Sequence, residues 1–162
     1  MNRAFAGALF AAAALSAGAA NAAPVTASAT ARANILQQIT VTNTSDLDFG
    51  TIVSGAAAST VAISTAGART CGAGLTCTGT TTAANFNITG TNNAVVTITG
   101  DNSVTLSNGA TTMTASLVRS SAGGALSATG TGSVTVGGTL SLAANQADGV
   151  YTGTFNVSVD YQ

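Results

Sequence analysis

The sequence predicts an all-β protein, an antiparallel immunoglobulin-like β-sandwich behind an N-terminal export segment. Short runs of apolar and β-branched residues recur between turn residues, the composition is rich in Thr, Ser, Asn, Val and Gly, and the single proline, Pro24, leaves the ladder donors intact. A strictly alternating run also occupies the C-terminal end. From Tyr151 the odd positions are Tyr, Gly, Phe, Val, Val and Tyr, and the even ones Thr, Thr, Asn, Ser and Asp. Period two belongs to a half-buried strand.

A chain of 162 residues is long enough for one domain with a real core. Only 6% of it is charged and 46% is hydrophobic, the reverse of the hydrophilic, charged balance of a disordered chain. The formal net charge of −1 gives no basic footprint, which argues against a nucleic-acid partner.

The first residues read as a secretory signal peptide. Arg3 supplies the positive start, Ala4 to Ala14 an apolar run too short to span a bilayer, and Ala20-Asn21-Ala22 a small-x-small cleavage site. The expected organisation is a signal peptide over 1–22, an alternating N-terminal strand over 23–35 and a β-sandwich over 36–162. No later stretch is long and apolar enough to span a membrane as a helix, so the mature chain is expected without a span, in the periplasm in transit and then at the cell surface or outside.

In the N-terminal strand Val25, Ala27, Ala29, Ala31, Ala33 and Ile35 hold the odd positions, with Thr, Ser, Thr, Arg and Asn between them. A ladder of methyl groups gains little from burial, so such a strand binds mainly through its main chain, as addition to a sheet edge requires. Periodicity does not say whether it pairs within its own chain or with another copy.

Strands are expected next at 37–42, around Leu47-Asp48-Phe49-Gly50-Thr51-Ile52, and at 60–64, 84–89, 94–99, 104–107, 111–118, 126–129, 133–142 and 149–161. Turns are expected at Asn43 to Asp46, Asn92-Asn93, Asp101-Asn102, Gly123-Gly124 and Gly137-Gly138, and a hairpin at Asn108-Gly109. Phe49, Phe86 and Phe155 are the expected aromatic core. Cys71 and Cys77, in an exported chain, are expected to pair as a disulfide clipping a hairpin or loop, worth roughly 2 kcal/mol for so short a loop. A zinc site lacks ligands, since no His and no further Cys exist.

Catalytic chemistry has few candidates. His, Lys and Glu are absent, the aspartates are scattered, and the abundant Ser and Thr have no His or Lys to activate them. No enzyme, cofactor or metal is expected. Asp46 and Asp48 with Asn43 could offer oxygen ligands to calcium, but a turn cap and an outward strand position explain them as well.

Tyr161, the run Phe155, Val157 and Val159, and Gly149 about one strand-length upstream resemble the last strand of pilins assembled by the chaperone-usher pathway. Leu47-Asp48-Phe49-Gly50, Ala84 to Gly90, Thr112-Met113-Thr114, Val136 to Leu140, Asn145-Gln146 and the Gly-Val-Tyr-Thr-Gly-Thr-Phe ending resemble the secreted bacterial family called domain of unknown function 4402, itself similar in style to spore-coat-U-like and pilin-like domains. The pilin resemblance implies an assembly groove beside Gly149, Tyr151, Gly153, Phe155, Val157, Val159 and Tyr161. It also implies a donor strand from Val25 to Ile35 of a neighbouring copy or related subunit, with a periplasmic chaperone and an outer-membrane assembly protein as further partners. The cysteines lie closer together than in many such pilins, and the alanine ladder lacks the Gly notch of their donor segments.

Two functions are therefore expected in competition. One is a non-enzymatic structural subunit of a fimbria-like surface fibre. The other is a self-contained secreted adhesion or ligand-binding module, with residues 25–35 paired in cis and contacts in the loops around Cys71 or Ser120 to Gly124.

Overall fold

The computed structural model describes residues 22–162. The chain divides into two compact units, Met1–Asn34 and Ile35–Gln162. Of the first, residues 22–34 carry no strand and are exposed throughout. The signal-peptide reading falls, up to residue 21, outside the described residues.

The second unit is made of strands alone: β1 (Thr40–Ser45), β2 (Thr51–Val53), β3 (Ser59–Ile63), β4 (Arg69–Cys71), β5 (Thr76–Thr78), β6 (Ala84–Thr89), β7 (Val95–Gly100), β8 (Ser103–Asn108), β9 (Thr111–Arg119), β10 (Gly123–Ala125), β11 (Thr131–Leu142) and β12 (Val157–Tyr161). Every ladder is antiparallel. One sheet runs β1-β6-β11-β3-β4, with β9 also on β11 and β8 on β9. A second runs β10-β7-β12, and β2 pairs β5 alone. The expected antiparallel β-sandwich is the observed fold class.

The two larger sheets share one long bent hairpin. β7 and β8 are consecutive halves of a strand interrupted at Asp101-Asn102, and β9 and β10 are the corresponding halves of its partner. The pairings Ser103↔Ser116 and Thr97↔Gly123 continue each other with a single-residue slip. Arg119 holds the bend, donating from Nη1 to the carbonyls of Gly100 at 3.2 Å and Asp101 at 3.0 Å, and from Nη2 to Asn102 Oδ1 at 3.1 Å. The turn has Asn108 paired with Thr111, so the loop is Gly109-Ala110, with Gly109 at φ +60° supplying the positive dihedral of a two-residue hairpin.

Alternation sets the core. Val61, Ile63, Phe86, Ile88, Val134, Val136 and Leu140 of the large sheet meet Val96 and Ile98 of the three-stranded one. Ile63, Ile88, Val61, Val134 and Val136 are the largest fully buried side chains. Each contributes roughly 1.5–3 kcal/mol of burial free energy. Phe49 and Phe86 are buried as expected, and Phe155 packs edge-on to Phe86 at 6.2 Å between centroids.

Several elements differ from expectation. β1 runs through the expected turn to Ser45, accommodated by a register shift between Asn43 and Ser45. Residues 126–129 form no strand: Leu126 is buried, but Ser127 to Thr131 close a tight turn through backbone and hydroxyl bonds. Gly123-Gly124 is instead the strand β10. Gly123 has φ +146°, and a Cβ there would lie 2.3 Å from the Val96 carbonyl, so glycine allows the close pairing that a turn reading misses. Gly137-Gly138 likewise lies inside β11, at the point where its partner changes from β6 to β3. The C-terminal strand is shorter than its alternation suggests, because residues 149–156 form no continuous ladder, only the isolated bridge Ser107↔Thr152 and the bond from the Asp101 amide to the Asn156 carbonyl.

Cys71 and Cys77 are bonded to each other. They lie on β4 and β5, in different sheets, so the bond joins the small β2-β5 ribbon to the edge of the large sheet.

Candidate functional site

The C-terminal segment lies along one edge of the bent strand β7–β8. Thr152 exchanges both backbone hydrogen bonds with Ser107, the Asn156 carbonyl accepts from the Asp101 amide at 3.0 Å, and the Gln162 amide donates to Val95 at 3.1 Å. The even residues therefore turn their backbone groups toward β7–β8. In an antiparallel strand the intervening residues turn theirs the other way. Val157, Val159 and Tyr161 thus direct their N–H and C=O groups outward, and β12 has no partner but β7 among the described residues.

The same odd residues point their side chains inward. Phe155, Val157, Val159 and Tyr161 pack against the core, yet all four remain only half-buried, unlike the buried positions of β6, β7 and β11. The edge carries no Lys and no Pro; Asp160, on the outer face, is its one charge. An edge with free donors beside a half-covered apolar face has the chemistry that pairing with a further strand uses.

Residues 37–54 form the opposite lip. At one end, the Tyr161 hydroxyl donates to the Gln37 carbonyl and accepts from the Thr91 amide, both at 2.7 Å, while the Gln37 amide donates to Thr91 Oγ1 at 2.6 Å. At the other end, Leu47 to Ser54 face Gln146 to Tyr151 across a cleft of about 660 Å³. Its floor is apolar: Leu106, Met113, Leu140 and Leu142. Tyr151 stands in its wall, with its hydroxyl 2.9 Å from each of Thr111 Oγ1, Gln146 Nε2 and the Ala147 carbonyl.

The expected groove residues are thus distributed over one edge. Val157, Val159 and Tyr161 form its paired strand, Phe155 its junction with Phe86, and Tyr151 and Gly149 the cleft. Gly153 fits against β8, where a Cβ would sit 2.4 Å from the Thr105 carbonyl. Val25, Ala27, Ala29, Ala31 and Ala33 lie in the first unit, and none of them nor Ile35 is in a strand. Val25 is 99% and Ile35 89% exposed. Sequence reasoning left out the opposite lip as a groove wall, although Leu47-Asp48-Phe49-Gly50 stood out as a motif, and left out Gln37 and Thr91, which nothing local marks. Among the described residues no group of three or more Cys, Asp, Glu or His is arranged to hold a metal.

Fold and edge together define an all-β antiparallel domain whose C-terminal strand, among the described residues, is paired on one side only. The sequence profile of the family described as Domain of unknown function (DUF4402) matches residues 39–161, and the chain belongs to that family. No curated protein and no solved structure matches the chain.

Proposed function

We propose that this protein is an exported, non-enzymatic structural subunit of a bacterial surface fibre, assembled by strand addition. Residues 23–35 of one copy enter the groove between the C-terminal edge and the 37–54 lip of the next. The observation that carries this reading is the outward-facing, unpaired main chain of Val157, Val159 and Tyr161 above a half-covered apolar face. The ladder from 25 to 35 spans as many residues as the edge from 151 to 161 and shares its period of two. Each main-chain hydrogen bond gained is worth about 0.5–1.5 kcal/mol, so several in a row suffice for a durable junction. A head-to-tail contact of this kind does not close on itself and propagates as a filament. The pilin resemblance adds a periplasmic chaperone and an outer-membrane assembly protein as partners in transit.

Deleting residues 23–35 leaves an exported protein that remains monomeric, whereas the intact chain yields a ladder of sizes. Filaments from the deletion would overturn the reading. The cleft of about 660 Å³ favours a second reading, a self-contained adhesion or ligand-binding module. That module stays a discrete monomer with the ladder in place.

A further inference from the structure

We infer that Arg32 is the one site at which an arginine-directed endopeptidase of the trypsin type cuts the folded, exported chain. The cut, between Arg32 and Ala33, turns a subunit that gives and takes a strand into one that only takes. The site stands on the fold alone, whereas its consequence rests on the strand-addition reading.

The sequence holds no Lys and four Arg: Arg3, Arg32, Arg69 and Arg119. Arg3 belongs to the expected signal peptide, outside the described residues. An endopeptidase of this type takes its substrate as an extended strand with the arginine in an acidic pocket, so the chain on both sides of the bond must be free of other pairing. Residues 22–34 meet that demand, since none is in a strand and all are exposed. Ala31 and Ala33 flank Arg32 with no bulk to exclude it from a narrow cleft.

The fold withholds the other two arginines. Arg69 lies in β4 opposite Ile63 of β3, with Nη1 donating to the Thr78 carbonyl at 2.7 Å, and the bond from Cys71 to Cys77 begins two residues on. Arg119 lies in β9 opposite Val136 of β11, and its guanidinium is occupied at the bend. Both are half-buried. Cutting at either requires strands to separate first, whereas cutting at Arg32 requires nothing to open.

The step is a hydrolysis. Water adds to the Arg32 carbonyl carbon, the bond to the Ala33 nitrogen breaks, and a carboxylate and an amine remain. Val25, Ala27, Ala29 and Ala31 leave with the severed piece, and only Ala33 and Ile35 of the ladder stay. The tie from Tyr161 to Gln37, the β12 edge and the cleft all lie in the second compact unit and are untouched. The product therefore accepts a ladder and offers none, which ends a filament. A ladder already seated in a neighbour's groove has its backbone paired, so assembly shields the bond and only unassembled subunits are converted.

The test digests the folded chain with trypsin, separates monomer from polymer by size, and reads the products by mass spectrometry. The monomer gives a single early cut, at Arg32, and 33–162 persists; the Arg32→Gln chain gives none. The polymer is cut at least about a hundredfold more slowly, because several backbone bonds must open first. With trypsin inhibited, adding about one part of cleaved chain to ten of intact chain limits filaments to a mean of about ten subunits. Early cutting at Arg69 or Arg119 at a rate like that at Arg32 would overturn the single site. Equal cutting of polymer and monomer, or filament lengths that ignore the cleaved chain, would overturn the consequence with polymerisation intact. An intact chain that forms no polymer removes the strand-addition reading, and the digest of the monomer then still decides the site.

Discussion

The hydroxyl of Tyr161 donates to the carbonyl of Gln37 at 2.7 Å across 124 positions of sequence. The same oxygen accepts from the Thr91 amide, so one side chain fastens the start of one lip of the groove to the end of the other. Tyr161→Phe keeps the ring and leaves two backbone groups without this partner. It is expected to cost about 1–3 kcal/mol, read as a lower denaturant midpoint at unchanged m-value.

Proline substitution along β12 separates the two sides of that strand. Val159 directs its amide outward, so Val159→Pro leaves the ladder to β7 intact; the variant stays folded but no longer accepts a strand. Ser158 directs its amide at β7, and Ser158→Pro destabilises the domain itself by about 3 kcal/mol or more. Thermal unfolding and polymer size, measured on both variants, distinguish the effects.

Gly137 lies where β11 changes partners, and a Cβ there would sit 2.4 Å from the Ile63 carbonyl and 2.7 Å from the Ser64 carbonyl carbon. Gly137→Ala is expected to lower stability by about 1–3 kcal/mol, because backbone and not a mobile side chain must yield. Gly109→Ala, at the open hairpin turn where nothing lies within 4 Å, tests dihedral strain without crowding and is expected to cost less. Chemical denaturation of the two variants compares them directly.

Breaking the bond between Cys71 and Cys77 removes a cross-link closing a short loop, worth about 2 kcal/mol. The bond joins β4 to β5, and the backbone pairing of β5 is with β2 alone, so the loss is expected to be local. Hydrogen exchange in the Cys71→Ala/Cys77→Ala chain should accelerate in β2 and β5 while β6 and β11 stay protected.

The class of fold was legible because alternation and turn residues agree along most of the chain: 84–89 is a strand with the expected bounds, and 111–118 differs from β9 by one residue. Glycine-rich strands were not legible. Gly123-Gly124 read as a turn, and Gly137-Gly138 as a turn inside the expected strand 133–142, because glycine usually punctuates, yet here missing side chains let neighbouring backbones approach. The short strands β4 and β5 hold too few residues for a period to show. At the candidate site, period two marked the free edge from Tyr151 to Tyr161 correctly in facing. It could not show that only Val157 to Tyr161 is continuously paired, nor that the 37–54 lip stands opposite, since pairing between distant segments leaves no local trace.

The pairing of β7 with β12, and of Gln37 with Tyr161, also sets an order of events. During synthesis Gln37 emerges from the ribosome long before Tyr161, and β7 must wait for Val157 to Tyr161 to cover its second edge. Contacts this remote in sequence make folding slow. The sheets of the nascent polypeptide therefore close only once the chain through Tyr161 has emerged.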